Sequence, residues 1–219
     1  MKKLVITTAL ILMMALPSHA IDKTGLFGIG LNGALSIPAS GDLTSDSSLS
    51  DYVDVGPRFG VFVNYTPASE LTLQAGFNYG FMKIKDDANP SATEEPYLVT
   101  PEIYLTGKLN LGSFIKSETT FLNPYLSAGP SLVMWKFTAD GAGGDPILIG
   151  DEEFKKSSLG LNFGAGIESM IARNMAVFFE GRYLMIFSED EEKFGVDFGN
   201  MSTIDVNVGL TYYLPFSSK

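Results

Sequence analysis

Seven charged residues lie within segments that otherwise alternate apolar and small polar residues. Because both signs are present, the charges can neutralise one another if a fold brings them together. Two chemistries are open to them: proton transfer by a carboxylate pair such as Glu102 and Glu180, or a network of structural ion pairs. We favour the network, since it explains the basic residues as well as the acidic ones. The seven candidate residues are Arg58, Glu102, Lys108, Glu168, Glu180, Arg182 and Asp205.

The first residues have the layout of a secretory signal peptide. Lys2 and Lys3 precede an apolar run that is shorter than the roughly 20 residues of a membrane-spanning helix. A small-residue cleavage site follows and ends at Ala20. We therefore predict a cleaved signal peptide at 1–20 and a single domain at 21–219.

Removal of this segment leaves few groups for catalysis. The chain has no cysteine, and its single histidine, His19, leaves with the signal peptide. Ser/His/Asp and Cys/His arrangements and histidine-ligated metal sites are therefore excluded from the mature chain. We predict that the protein is not an enzyme and has no cofactor. Since Asp and Glu number 25 against 15 Lys and Arg, it is also a poor candidate for binding nucleic acid.

The segments that carry the seven charges alternate with a period of two, which is the period of a β-strand. From Leu71 to Phe81, for example, every second residue is apolar, and those between are polar or glycine. The pattern recurs about eight times along the chain. The predicted strands cover 25–37, 55–66, 70–84, 97–111, 123–138, 157–170, 174–187 and 201–214.

One predicted strand contains Gly129-Pro130, which indicates a β-bulge because proline cannot donate to the ladder. A bulge at this point would reverse the alternation of the residues that follow. We therefore expect Trp135 and Phe137 to point outward.

The connections between the strands alternate between long polar loops and shorter turns, which is typical of bacterial outer-membrane barrels. The predicted fold is an all-β, eight-stranded antiparallel up-and-down transmembrane β-barrel. An even number of strands places both chain ends on one side, which we predict to be the periplasm. The localisation predicted on this basis is the bacterial outer membrane.

Polarity indicates which strand face meets lipid. The polar face carries the glycines, which suit a narrow lumen, and an Arg or Lys facing lipid at mid-depth would cost roughly 2–4 kcal/mol. The alternative is a soluble sheet with scattered surface charges. Within a lumen, the expected pairs are Arg58 with Asp205, Arg182 with Glu102 or Glu180, and Lys108 with Glu168.

The last strand, read from Asn207 to Leu214, resembles the C-terminal signal that outer-membrane barrels present to the barrel-assembly machinery. Over about 25–216, the layout resembles the outer-membrane β-barrel domain family, including the OmpX type and the membrane domain of OmpA. The resemblance implies contact with outer-membrane lipid, a monomer, and the assembly machinery as a partner. It assigns the signal to Asn207, Gly209, Tyr212, Leu214 and Phe216. In the family, the last residue of the signal is usually aromatic and ends the chain, whereas residues 217–219 follow Phe216 here.

The long loops contain more negative charge than the mature chain as a whole. Three interpretations are open: a solvated rim, a surface for a basic partner, or a site for divalent cations such as Ca²⁺. The spacing fits no EF-hand loop. The best candidate cation ligands are Asp140, Asp145, Asp151, Glu152 and Glu153.

Two classes of function agree with these features. The first is a structural or surface-interaction barrel of the cell envelope without catalysis. The alternative is a narrow conduit or binding barrel for a small solute or a lipid-like ligand. A general diffusion pore is not expected, because the lumen of eight strands is filled by side chains, whereas aqueous porins use 16–18 strands.

Overall fold

A computed structural model describes residues 23–44, 47–85, 95–114, 122–149, 152–188 and 199–214. Eight antiparallel strands close into one barrel, and each strand pairs with its neighbours in the chain. The eight-stranded up-and-down fold is therefore confirmed, and the predicted strand ends differ from the observed ones by about three residues or fewer. The strands are β1 Phe27–Ser40, β2 Gly56–Ala68, β3 Leu71–Lys83, β4 Tyr97–Asn110, β5 Leu122–Thr138, β6 Lys155–Ala172, β7 Met175–Ile186 and β8 Met201–Tyr213.

The barrel is closed by the pairing of its first and last strands. β1 pairs with β8 from Gly28 opposite Tyr213 to Ile37 opposite Ile204 without a register shift. Closure matters in lipid, since an open edge would leave backbone donors and acceptors without partners. The predicted signal peptide at 1–20 lies outside the described residues.

Outward and inward side chains alternate along the strands. On β2, for instance, Val61 is 60 % exposed, whereas Arg58 and Asn64 of the opposite face are buried. A soluble barrel would bury the valine and expose the arginine. The alternation therefore turns the apolar face towards lipid, as the sequence predicted.

The two ends of the barrel differ. At one end, called here the turn end, β2–β3 and β6–β7 are joined by short turns, and β4 is followed by a 3₁₀ helix at Leu111–Phe114. At the other end, the loop end, the connections are long and include helix α1 at Leu49–Tyr52 and a short hairpin that pairs Leu148–Ile149 with Glu152–Glu153. Within the described ranges, no helix has the length and apolar character needed to cross a bilayer.

The expected bulge in β5 is absent, and the outward orientation predicted for Trp135 and Phe137 is wrong. β5 pairs with β6 in unbroken register from Leu122 to Lys136. Pro130 interrupts the pairing with β4 but inserts no extra residue, because the register on that side is the same before and after it. The alternation continues, and both aromatic side chains are buried inside the barrel.

Inside the loop end lies a cluster of buried apolar side chains, which we call the apolar plug. Five strands contribute members to it, namely β3, β4, β5, β7 and β8. The segments just before β2 and β6 add Val53 and Phe154, and α1 adds its first residue. Its members are Leu49, Val53, Met82, Leu98, Val133, Trp135, Phe137, Phe154, Leu184, Ile186 and Met201.

Candidate functional site

Four of the seven predicted charged residues meet across the middle of the lumen. Arg58 of β2, Glu102 of β4, Arg182 of β7 and Asp205 of β8 form one group, called here the charge cluster. Three of these residues are 0 % exposed, and Arg182 is 6 % exposed. Two positive and two negative groups give the charge cluster a formal charge of zero.

Glu102 is the acceptor at the centre of the charge cluster. Its Oε2 accepts from Arg58 Nη1 at 2.9 Å, from Arg182 Nη2 at 2.5 Å and from Asn78 Nδ2 at 2.9 Å. Its Oε1 accepts from Ser131 Oγ at 2.7 Å. Charge-assisted bonds of this kind are the strong ones in a low-dielectric interior. Both oxygens of the carboxylate are thus used.

Asp205 completes the charge cluster from the opposite wall. Its Oδ2 lies 3.5 Å from Arg58 Nε and 3.4 Å from Arg182 Nη2. Its Oδ1 accepts hydrogen bonds from Ser36 and Thr203. Each arginine therefore faces both carboxylates, so that removal of any one member leaves a buried charge partly uncompensated.

Glycines on the inward face make room for rings beside the charges. The guanidinium of Arg182 lies 5.3 Å from the centre of the Tyr104 ring, within the range of a cation–π contact. That ring lies over Gly76, where an added Cβ would be 2.6 Å from Tyr104 Oη. The small residues noted in the sequence thus fit the narrow lumen.

On the turn-end side of the charge cluster, Lys108 lies among aromatic rings. Its Nζ is 4.7 Å from the centre of the Tyr125 ring and 4.8 Å from that of Phe178. Ion pairs among the described residues do not include Lys108, so the expected pair with Glu168 is not formed. The Glu168 carboxylate is instead occupied by another amine.

That amine belongs to Lys23, which precedes β1 and which the strand pattern did not identify. Lys23 forms an ion pair with Glu168 at the turn end. Tyr213 Oη also lies 3.3 Å from Glu168 Oε1. Because Lys23 lies just after the predicted cleavage site, the sequence gives no reason to place it in the lumen. Only the path of the segment before β1 shows its contact with Glu168.

Glu180, the last of the seven, is buried beside Ser127, whose Oγ donates to Glu180 Oε2 at 3.3 Å. A cavity of about 20 Å³ lies next to Glu180 and to Arg182 of the charge cluster, and Asn32 and Asn207 are among its other lining residues. This volume is enough for about one water molecule. In the described structure, the mid-lumen cavity is far smaller than a solute path.

The apolar plug was also missed by the sequence reasoning. Its signal was present, because Met82, Leu98, Leu184 and Ile186 are apolar on the inward phase of their strands, close to the loop end. Several apolar residues together in the inward phase near the same end of their strands would have indicated an apolar layer there.

The candidate cation ligands lie between β5 and β6. Asp140 and Asp145 are exposed there, and Glu153 is exposed just before β6. Asp151 lies outside the described residues, and the structure does not describe the side chain of Glu152. Among the side chains that are described, no group of three His, Cys, Asp or Glu residues is placed to hold a metal ion.

The residues of the expected assembly signal occupy both faces of the last strand. Asn207 and Gly209 face the lumen, whereas Tyr212 and Leu214 are exposed on the lipid face. Phe216 lies outside the described residues.

Comparison with known proteins agrees with this geometry. A family model described as outer membrane protein beta-barrel domain matches residues 6–213. The crystal structure of Neisserial surface protein A (NspA) is similar over 85 % of this chain and 96 % of that chain, with 16 % identity and a TM-score of 0.54. The solid-state NMR structure of outer membrane protein AlkL in DMPC bilayers is similar over 93 % and 97 %, with 13 % identity and a TM-score of 0.52. No curated relative matches the chain by sequence.

Proposed function

Because the chain belongs to the outer membrane protein β-barrel domain family, we propose that it is a closed barrel of the bacterial outer membrane with a structural or surface-interaction role and no catalysis. The observation that carries this proposal is the burial of the charge cluster. Arg58, Glu102 and Asp205 have no exposed surface at mid-lumen. A conduit at that height would leave such groups in contact with water.

The apolar plug supports the same proposal from a second position. It lies inside the barrel at the loop end, where Trp135 packs edge-on against Phe137 and Phe154. A solute would have to pass an apolar layer and then a charged layer. These two barriers reject different classes of solute.

Conductance tests the closed lumen directly. The mature chain, folded in detergent and inserted in a planar bilayer, should give no regular current steps. Stable steps near the conductance of a trimeric porin would overturn the proposal and favour the alternative, a conduit. A heat-modifiable gel shift on the same sample shows that the barrel is folded, so a silent bilayer reports a closed lumen.

We propose further that the signal peptide is cleaved after Ala20, that both chain ends are periplasmic and that the loop end faces outward. Lys23 and Tyr213 meet at the turn end, which supports a common side for the two termini. The chain has no cysteine, so single cysteines can be introduced for labelling. Asp140→Cys should react with an impermeant maleimide on intact cells, whereas Ser69→Cys should react only after lysis. The reverse pattern would overturn the orientation.

The assembly machinery and divalent cations remain proposed partners. The exposed Tyr212 and Leu214 support contact of β8 with the machinery during insertion, and Tyr212→Ala should slow assembly in cells but not folding in detergent.

Calcium binding at the acidic loops would release or absorb heat in a calorimetric titration, and the absence of heat would remove this proposal.

A further inference from the structure

Two lysines lie side by side on adjacent strands of the outer wall near the loop end. Lys136 of β5 and Lys155 of β6 are direct cross-strand partners, and both lie on the outward phase of their strands. Like charges in this position destabilise a sheet. They are also unexpected in a chain with a net charge of −10. An anion between the two ammonium groups would convert the repulsion into attraction.

A cavity of about 500 Å³ opens beside this lysine pair, with Pro101, Met134 and Ser157 among its lining residues. The β4–β5 ladder is interrupted here, since no pairing occurs between Val99 opposite Lys136 and Glu102 opposite Val133. Pro101 cannot donate a hydrogen bond to its neighbour, which accounts for part of the interruption. The volume is within the range of pockets that hold small ligands.

The cavity lies where the outer wall changes character. Towards the turn end, the same faces present Ile103, Leu132 and Leu159, all exposed and apolar, with Leu159 at 68 %. Towards the loop end they present the two lysines. A ligand that fits this boundary has an anionic head and an apolar chain.

Both ammonium groups already have partners that are compatible with such a head. Lys136 Nζ donates to the carbonyl oxygen of Gly144 at 2.9 Å, and Lys155 forms an ion pair with Glu153. Attraction between an ammonium group and a phosphate does not require a vacant donor, so each lysine can keep its present contacts and still attract the phosphate. These contacts hold the two amines at the rim of the cavity.

We propose that the lysine pair and the adjoining cavity bind a phosphorylated glycolipid of the outer leaflet. Its phosphate lies between Lys136 and Lys155, and its acyl chain follows Leu132 and Leu159 towards the turn end. The proposal rests on the orientation proposed above, because only an outward loop end brings this height to the outer leaflet.

Native mass spectrometry of the folded mature chain in zwitterionic detergent tests the site with defined probes. Diphosphoryl lipid A should bind, and the double variant Lys136→Gln/Lys155→Gln should weaken binding by about 30-fold, from about 1 kcal/mol per lysine at a charged surface. Lys83→Gln is the matched control, since Lys83 lies near the same end but pairs with Glu95. It should bind lipid A as the unmodified chain does.

Three further probes separate the possible occupants. Lipid A without phosphates, phosphatidylglycerol and millimolar inorganic phosphate should each fail to match diphosphoryl lipid A. Equal binding of the phosphate-free lipid, equal binding of phosphatidylglycerol, or complete competition by inorganic phosphate would overturn the proposal. Equal lipid A binding by the double variant would do the same.

Thermal unfolding distinguishes binding from a structural role. Without lipid, Lys155→Gln should change Tm little, because the like-charge contact with Lys136 and the exposed ion pair with Glu153 are lost together. With lipid A, the unmodified chain should gain more in Tm than the variant, and an equal gain would contradict the site. Because these measurements are made in detergent, they can succeed or fail independently of the labelling and conductance experiments.

Discussion

The charge cluster and the apolar plug fill one lumen with opposite chemistry. At the height of the charge cluster, inward residues such as Glu102 form ion pairs, and outward residues such as Val61 are apolar and exposed. At the height of the plug, inward Leu184 and Trp135 are apolar, whereas Lys136 points outward. The barrel thus has the polarity of a membrane protein in its middle and that of a soluble protein at its loop end.

This reversal shows where the lipid-facing band ends. Along β7 the inward residues change from Glu180 and Arg182 to Leu184 and Ile186. Along β6 the outward residues change from apolar Leu159 to Lys155. Both changes occur towards the loop end, so strand polarity reports the bilayer boundary independently of aromatic side chains.

Removal of charge from the middle of the lumen should have the largest effect. Among the described ion pairs of Arg58 and Arg182, Glu102→Gln leaves only those with Asp205, so we expect a loss of about 3–5 kcal/mol in the free energy of unfolding. Urea unfolding in lipid vesicles measures it. Glu95→Gln, in an exposed pair with Lys83, should change this free energy by less than about 1 kcal/mol. Equal losses in the two variants would show that burial of the ion pairs is unimportant.

Truncation within the plug should cost less and act locally. Leu184→Ala creates a cavity among buried side chains, for which we expect a loss of about 2–4 kcal/mol and faster proteolysis at the loop end. The strands across the lipid-facing band should stay protected, as limited proteolysis with mass spectrometry can show. Leu159→Ala, on the exposed face, is the control. If proteolysis spread evenly over all strands, the plug and the charge cluster would not be separate layers.

A methyl group added at a lumen glycine should have a smaller effect. Gly76→Ala brings a Cβ against the Tyr104 ring, next to the charge cluster, and should cost about 1–3 kcal/mol. Gly181→Ala is the matched control, because nothing lies within 4 Å of its Cβ position. If Gly76→Ala unfolded like the control, the middle of the lumen would be less tightly packed than described.

Alternation was enough to predict the barrel. The signs of the charges selected seven residues, of which four form the charge cluster. The structure joins Arg58 to Asp205 and Arg182 to Glu102, which are two of the expected pairs. It also joins Arg58 to Glu102 and Arg182 to Asp205, so the two pairs meet as one group. Position along a strand gives only an approximate height, because the strands of a barrel are tilted.

The remaining contacts depend on information outside the strand pattern. Lys23 takes Glu168 away from Lys108 because the chain segment before β1 reaches the turn end. The face predicted for Trp135 is wrong because Pro130 does not shift the register of β5. It only interrupts the pairing of β5 with β4. The inward leucines of the plug were visible in the sequence, but only the closed barrel shows that they meet.

The central claim is that the buried charges act as one network across the lumen, and a double-mutant cycle on Arg182 and Glu102 tests it most directly. The single variants Arg182→Gln and Glu102→Gln and the double variant are unfolded with urea in lipid vesicles. We predict a coupling energy of about 1–3 kcal/mol, because each single variant leaves its partner's charge buried. Additive effects, within about 0.3 kcal/mol, would contradict the network.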